Sequence, residues 1–294
     1  MNIKEELLQR SQRINAALQG LSDVKPEGTA PRLWEAMNYS LGLGGKRIRP
    51  ILLLEGARLV GVPEEQALPL ALAFEMAHTA SLIHDDLPSM DNDDLRRGKA
   101  SNHKVFGEGL ALLAGDALLV YGFQLVLEAQ SSLSYEARAR GLAYFARALG
   151  PQGICSGQVF DTDPASFDPS FEGALTLAGQ KTGILLTNAL LAGAALGEAS
   201  GSLMNKLKAW GEKVGLAFQV SDDILDVIGN PQLMGKTLGK DQEQGKKTFV
   251  AHLGVQKARE LLNRLTDEAK GALEGVSGSE FLCALADTLR DRQS

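Results

Sequence analysis

Residues 81–98 read Ser-Leu-Ile-His-Asp-Asp-Leu-Pro-Ser-Met-Asp-Asn-Asp-Asp-Leu-Arg-Arg-Gly. An apolar segment with helical spacing, marked by Leu68, Leu72 and Met76, runs directly into these five aspartates and two arginines. Carboxylates at the end of a buried helix are costly unless cations compensate them. Mg²⁺ binds one or two carboxylates together with waters and phosphate oxygens. The stretch therefore predicts a metal site, with a helix end held by local ion pairs as the simpler alternative.

The rest of the chain is also predicted to be helical. Leucine occurs 48 times, against 13 valines and 9 isoleucines, which favours helices over strands. Apolar residues recur at three- and four-residue spacing, and breaks rich in proline and glycine separate about ten such segments. No linker has the length or composition of a domain boundary. We therefore predict an all-α bundle that forms a single domain over residues 1–294.

Composition excludes several functional classes. Thirty Lys and Arg against thirty-six Asp and Glu give a net charge of −6, which argues against nucleic acid or an anionic membrane surface as partner. Two cysteines provide neither a disulfide framework nor a zinc ribbon, and the charged N-terminus is no secretory signal, so we expect a cytoplasmic protein. The charge-free residues 182–197 are too few to cross a membrane and predict a buried core helix instead of a membrane span.

A second acidic cluster lies on a later apolar segment, where residues 218–226 read Phe-Gln-Val-Ser-Asp-Asp-Ile-Leu-Asp. Asp222 and Asp226 are four residues apart and share one face of a helix. Two facing clusters could hold several Mg²⁺ ions, which would neutralise a diphosphate and make it a better leaving group. A calcium-binding EF-hand does not fit, because Leu95 and Arg96 would stand where an oxygen ligand and the turn glycine are needed.

Basic residues occur in short runs flanked by glycine, at residues 44–50, 96–98, 181–183, 235–237 and 245–248. Arginine forks and lysine point charges next to flexible backbone are suited to phosphate oxygens. Five such runs are more than one phosphate group requires, so we predict that the site binds two diphosphates. A nucleotide P-loop does not fit, because Asn230 and Lys240 stand where its first glycine is required.

Taken in order, these motifs closely resemble those of the trans-prenyl diphosphate synthases. The resemblance also includes Gly115-Asp116, extends from about Leu33 to Thr248, and is closest to bacterial or plastid farnesyl and geranylgeranyl diphosphate synthases. It implies the isoprenoid synthase fold, an all-α bundle around a deep central cavity, usually as a homodimer. It also implies that Mg²⁺, as three ions with bound diphosphate, assists ionisation of an allylic diphosphate whose cation alkylates isopentenyl diphosphate.

The resemblance assigns roles residue by residue. The metal ligands, directly or through a second shell, would be Asp85, Asp86, Asp91, Asp222, Asp223 and Asp226. The allylic diphosphate would be held by Arg96, Lys181 and Lys236, with Lys246 nearby. The isopentenyl diphosphate would be held by Lys46, Arg49, His78 and Arg97. Thr182 and Gln219 would place oxygens near the allylic cation, and they complete a catalytic set with Lys181, Asp85, Asp86, Asp91 and Asp222.

Product length can be related to helix geometry. A helix rises about 5.4 Å per turn, close to one isoprene unit, so residues one and two turns before Asp85 would form the floor of the elongation cavity. Those residues are Ala80 and Ser81, then Ala77 and Ala73. Farnesyl-producing members of the family that this chain resembles commonly have an aromatic residue at the position of Ala80. A small floor favours the C20 product over C15. Other candidate floor residues are Phe74, Met76 and Tyr121.

Two alternative functions stay open at this point. A class I terpene cyclase shares the fold and the first aspartate motif, but its second metal motif uses Asn or Asp, Ser or Thr, and Glu at wider spacing. A non-catalytic regulatory subunit of a heteromeric prenyl synthase loses aspartates, whereas this chain keeps both sets. The prediction is therefore a short-chain trans-prenyltransferase.

Overall fold

The computed structural model describes residues 2–163, 165–228 and 248–292. Its helices are α1 (Ile3–Ser22), α2 (Pro31–Leu41), α3 (Ile48–Leu59), α4 (Glu64–Asp85), α5 (Asn102–Phe106), α6 (Glu108–Glu128), α7 (Tyr135–Leu149), α8 (Ile154–Thr162), α9 (Phe171–Ala178), α10 (Ile184–Ala195), α11 (Gly201–Ile228), α12 (Phe249–Ala272) and α13 (Glu280–Arg290). A π-helical turn, Gly179–Gly183, joins α9 to α10. The predicted all-α fold is confirmed.

One short element was not predicted from the sequence. Strands β1 (Leu95–Arg96) and β2 (Lys99–Ala100) form an antiparallel hairpin after α4. Its turn uses Arg97 and Gly98, both with positive φ, of 54° and 76°. Such two-residue turns match the twist of the strands they join. The hairpin holds the two arginines of the first acidic stretch in fixed positions.

Local signals begin several of the helices. Ser134, Ser170 and Thr248 precede α7, α9 and α12, and each side chain accepts a hydrogen bond from the backbone N–H three residues later. Pro31 occupies the first position of α2, where its missing N–H is not needed. These helix starts depend on a few adjacent residues, which explains why they are readable from the sequence.

The centre of the bundle is the pair α3 and α10, which pack backbone against backbone. A Cβ added to Gly193 would lie 1.9 Å from the carbonyl oxygen of Leu53, and one on Gly56 would lie 2.1 Å from that of Leu190. Every residue of α10 from Leu185 to Ala195 is buried. The prediction of a buried core helix in residues 182–197 is thus confirmed.

Helices α4 and α6 lie antiparallel and in close contact. A Cβ on Gly115 would be 2.1 Å from Nε2 of His84, and one on Gly122 would be 3.2 Å from Cβ of Ala73. Ala80, four residues before His84, lies on the same side of α4 and is fully buried. The last turn of α4, with Asp85, is therefore held against α6.

Helix α6 combines a buried side with an exposed apolar side. Its exposed large apolar residues are Leu112, Leu113, Val120 and Leu127. The helix is long and apolar enough to cross a membrane, with a mean hydropathy of 1.9 and 33% of its most apolar window buried. Length and composition alone do not distinguish such a span from a packed helix of a bundle.

Candidate active site

The first aspartate motif (Asp85, Asp86 and Asp91) forms where α4 ends. The backbone N–H of Asp91 donates to the carbonyl oxygen of Asp85 at 2.9 Å, so the loop folds back over the helix end. Burial raises the pKa of Asp85 to about 6, and the negative charges of Asp91 and Asp86 add to this effect, whereas Lys181 and Arg96 oppose it. The end of α4 thus carries a largely buried carboxylate whose charge Lys181 and Arg96 compensate only in part.

Asp86 binds the arginine of the hairpin. Asp86 is 2% exposed, and its carboxylate accepts from Nε of Arg96 at 3.0 Å, with Nη2 of Arg96 as a second donor. Burial raises the pKa of Asp86, and Arg96 counteracts it. Nη2 of Arg96 also lies 3.5 Å from a carboxylate oxygen of Asp93. The guanidinium is therefore oriented by carboxylates at the edge of the first motif.

Lys181 lies in the π-helical turn and faces the first motif. It forms an ion pair with Asp161 of α8. Burial lowers its pKa, but Asp161, Asp85 and Asp91 together raise the pKa by more than burial lowers it, so the net direction is upward. The lysine is therefore charged and lies within the field of both aspartates. Asp161 was missed in the sequence, where its only signal is an acidic residue near the end of an otherwise uncharged helix.

Close packing holds the π-helical turn on two sides. A Cβ on Gly157 of α8 would lie 2.4 Å from the backbone nitrogen of Lys181, and one on Gly215 of α11 would lie 2.4 Å from Cα of Gly183. Single-turn π bulges occur frequently at functional sites. The turn that carries Lys181 and Thr182 thus has little room to shift.

A chain of hydrogen bonds links this turn to the second aspartate motif (Asp222, Asp223 and Asp226) on α11. The hydroxyl of Thr182 donates to Oε1 of Gln219 at 3.0 Å, and Nε2 of Gln219 donates to Oδ1 of Asp223 at 2.9 Å. The other oxygen of Asp223 accepts from the backbone N–H of Phe249 at 2.7 Å. Buried Asp223 therefore orients Gln219 and the start of α12.

The C-terminal segment also reaches the second motif. Nη1 of Arg292 lies 3.0 Å from Oδ1 of Asp222, and its guanidinium lies 4.8 Å from the ring centre of Phe218. Asp226, one turn further along α11, is buried. Sequence reasoning missed Arg292, because neither spacing nor a motif connects it to Asp222.

Of the predicted basic cluster (Lys46, Arg49, His78 and Arg97), the last three meet between α3, α4 and the hairpin, where the charges of Arg49 and Arg97 act on His78. Burial lowers the pKa of His78 well below its usual value, and the positive charges of Arg49 and Arg97 lower it further, so the imidazole is neutral. Burial also lowers the pKa of Arg49 to about 10. The guanidinium of Arg97 lies against Gly45, where an added Cβ would be 2.8 Å away.

Lys46 connects the basic cluster to the second aspartate motif. Burial lowers the pKa of Lys46, as does Arg292, whereas Asp222 raises it. The two predicted halves of the site, one acidic and one basic, thus face each other. Lys236 and Lys246, also predicted to bind substrate, lie outside the described residues.

The predicted floor residues lie one turn before Asp85. Ala80 is fully buried on the side of α4 that faces α6, whereas Ser81 is partly buried and its hydroxyl donates to the carbonyl oxygen of His78 at 2.9 Å. Deeper along α4, the ring of Phe74 packs against Phe145 at a centroid distance of 5.0 Å.

The donor set of the two motifs fits Mg²⁺. All six predicted ligands are carboxylates, and hard cations of this kind prefer oxygen. Burial disfavours the charged form of Asp85, and a bound divalent cation would favour that form again. In the described part of the chain, no three acidic, histidine or cysteine side chains converge on one point. This spread fits ions shared with the phosphates of a substrate.

Comparison with known proteins gives a consistent result. The family description "Polyprenyl synthetase" matches residues 30–276. A farnesyl diphosphate synthase of Geobacillus stearothermophilus is 43% identical over 89% of this chain and 88% of its own. A chloroplastic geranylgeranyl pyrophosphate synthase of Capsicum annuum is 41% identical over 100% of this chain and 79% of its own. The apo structure of an FPP/GFPP synthase from Zymomonas mobilis, 36% identical, covers 98% of this chain and 99% of its own with a TM-score of 0.85.

Proposed function

Since the chain belongs to the polyprenyl synthetase family, we propose that it condenses an allylic diphosphate with isopentenyl diphosphate to give farnesyl or geranylgeranyl diphosphate. The main observation behind the proposal is that acidic and basic groups from distant parts of the chain lie close enough to influence one another's charge. Lys181 lies in the field of Asp85 and Asp91, and Lys46 lies in the field of Asp222. Such a site can hold two diphosphates side by side.

The acidic half would hold the metal. Asp85, Asp91 and Asp222 are the proposed Mg²⁺ ligands, with Asp86, Asp223 and Asp226 as further ligands or as residues that orient them. When bound, three Mg²⁺ ions would neutralise the diphosphate leaving group. The buried hydrogen bonds of Asp86 and Asp223 support an orienting role for these two carboxylates.

The remaining residues bind and orient the substrates. Arg96 and Lys181, with Lys236 and Lys246, would hold the allylic diphosphate while its C1–O bond breaks and the electron pair leaves with the diphosphate. The oxygens of Thr182 and Gln219 form fixed dipoles that would stabilise the cation.

The basic cluster, Lys46, Arg49, His78 and Arg97, would hold isopentenyl diphosphate. Its double bond forms the new carbon–carbon bond with the allylic C1, and transfer of a proton to the released diphosphate restores a double bond in the longer product. A neutral His78 can act as a hydrogen-bond donor there without adding charge.

We also propose a homodimer that forms through α6. Leu113, Val120 and Leu127 are seven residues apart and exposed, so they line one stripe of the helix. Burial of this stripe against a second copy would remove apolar surface from water. Size-exclusion chromatography with light scattering would show a dimer, and Val120→Glu should convert it to a monomer. A monomeric wild-type protein would contradict this assembly.

Two further proposals concern organisation and location. Residues 1–294 form a single domain, which is supported by the shared core of α1 and α13, where Ile14 and Leu285 belong to one cluster. The protein is cytoplasmic, which is supported by two free cysteines, Cys155 and Cys283. The comparisons give no support to a terpene cyclase or a regulatory subunit.

The decisive experiment is to incubate the purified protein with Mg²⁺, isopentenyl diphosphate and, separately, dimethylallyl, geranyl and farnesyl diphosphates. The chain length of each product is then determined. A C20 product, also from the farnesyl starter, would agree with an open floor at Ala80. A C15 product would keep the reaction but place the floor at another side chain. No condensation with any starter would contradict the proposed function.

A further inference from the structure

A buried ion pair lies beneath the basic cluster. Arg47 is 3% exposed and Glu75 of α4 is 2% exposed, and Nη1 of Arg47 lies 2.5 Å from Oε1 of Glu75. Arg47 belongs to the same basic run as Lys46 and Arg49. Its side chain, however, points into the protein and is not available to a phosphate.

The guanidinium of Arg47 ties three helices together. Its Nε donates to the side chain of Asn15 in α1 at 2.8 Å, and its Nη2 donates to the carbonyl oxygen of Leu41 at the end of α2 at 2.7 Å. With Glu75 in α4, every nitrogen of the fork has a partner. A planar fork with fixed donors can make such a set of bonds, whereas a lysine cannot.

These bonds hold an unusual backbone conformation. Arg47 precedes α3 with a φ of 51°, in the left-handed region that residues other than glycine seldom adopt. The side-chain bonds offset the cost of that conformation. Because Arg47 lies between Lys46 and Arg49, its backbone turn determines the directions in which those two side chains leave the chain.

Glu75 also acts on the neighbouring arginines. Burial lowers the pKa of Arg49 and of Arg97, and the negative charge of Glu75 opposes this change at both. Nε of Arg49 is shielded from solvent and has no hydrogen-bond partner among the residues that the structure describes. The carboxylate of Glu75 thus compensates only part of the positive charge of Arg49 and Arg97. The remaining charge and the N–H groups of these arginines can act on a bound anion.

We propose that Arg47 and Glu75 are a positioning pair for the substrate bound by the basic cluster: they do not touch it, but they fix the turn that aims Lys46 and Arg49 at its diphosphate. This inference rests on the proposed function, which assigns isopentenyl diphosphate to that cluster. The pair would affect binding of this substrate and leave the allylic diphosphate unaffected.

The test compares three variants of the full chain. Arg47→Lys keeps the charge but loses the fork. The double variant Arg47→Met with Glu75→Leu removes both members of the pair, so that neither Arg47 nor Glu75 stays buried without the other. The control, Arg10→Met with Glu55→Leu, removes a different buried carboxylate together with one of its two arginine partners, since Glu55 pairs with Arg10 at 2.8 Å and with Arg58 at 2.7 Å.

Thermal unfolding first establishes that each variant folds. Steady-state kinetics and calorimetric titration with isopentenyl diphosphate then measure its KM and its affinity. We expect the KM for isopentenyl diphosphate to rise about tenfold or more in Arg47→Lys and in the double variant, because small displacements of the groups that bind a substrate weaken its binding strongly. The KM for the allylic substrate should stay within about twofold in both, and the control should leave both KM values unchanged.

Different results would contradict the positioning role of Arg47 and Glu75 and the proposed function. A folded Arg47→Lys or double variant with a wild-type KM for isopentenyl diphosphate would overturn the positioning role. An equal rise in both KM values would also overturn it, because it would indicate a general structural defect. A wild-type protein that binds no isopentenyl diphosphate would instead refute the proposed function.

Discussion

Replacing Asp85 by asparagine is expected to stabilise the metal-free protein while it abolishes turnover. Burial raises the pKa of Asp85 from its usual 3.8 to about 6, so the folded chain disfavours the ionised carboxylate. A pKa difference of about two corresponds to about 3 kcal/mol, and partial exposure reduces the expected gain to about 1–2 kcal/mol. For a chain of this size, that gain corresponds to a rise in Tm of roughly 2–6 °C.

The pH dependence of this gain has a definite sign. The pKa of the Asp85 carboxyl group is 3.8 in the unfolded chain and about 6 in the folded chain, so the folded chain keeps the proton to a higher pH. Between these values the folded state binds more protons, so the stability of the wild type falls as the pH rises. Asparagine has no such proton to lose. The difference in Tm should therefore be small near pH 4 and complete above about pH 7.

The assay is thermal unfolding followed by circular dichroism, with a chelator present, at both ends of this pH range. The control is Asp94→Asn, because the ion pair of Asp94 with Lys104, 2.7 Å long, lowers the pKa of Asp94. This variant should show no gain. Addition of Mg²⁺ and inorganic diphosphate should raise the Tm of the wild type more than that of Asp85→Asn. A lower Tm for Asp85→Asn at neutral pH, or an equal gain at both pH values, would refute the reasoning.

Three further predictions concern packing, charge and product length. Gly193→Ala should lower stability by about 1–3 kcal/mol or more, detected as a lower Tm, because the new Cβ would lie 1.9 Å from the backbone carbonyl oxygen of Leu53. Gly109→Ala, with no atom within 4 Å, should cause no loss. Asp161→Asn should lower kcat/KM for the allylic substrate about tenfold and spare the KM for isopentenyl diphosphate, because it removes the ion pair that holds Lys181 of the π-helical turn. An unchanged kcat/KM would contradict the role of Asp161. Ala80→Tyr should shorten the product, and a product of wild-type length from a folded variant would show that Ala80 is not the floor.

Several properties of this protein follow from the sequence by itself. The helices, their caps and the buried character of residues 182–197 depend on spacing within a few turns, which the chain carries locally. The grouping of Asp222 with Asp226 likewise follows from helical periodicity alone. The two aspartate motifs, the basic runs and the family they resemble are therefore determined by the order of residues along the chain.

Other properties were decided only by the tertiary structure, because they depend on which helices pack together. Arg47 belongs to a basic run, yet its fork turns inward to Glu75, whose sequence position shows no link to it. Asp161 becomes a partner of Lys181 only because glycines let α8 and α11 approach the π-helical turn. Arg292 reaches Asp222 from the far end of the chain. The partner of a charged side chain is often distant in the sequence and close only in the folded structure. The periodicity along one helix shows which residues share a face, but not which element packs against that face.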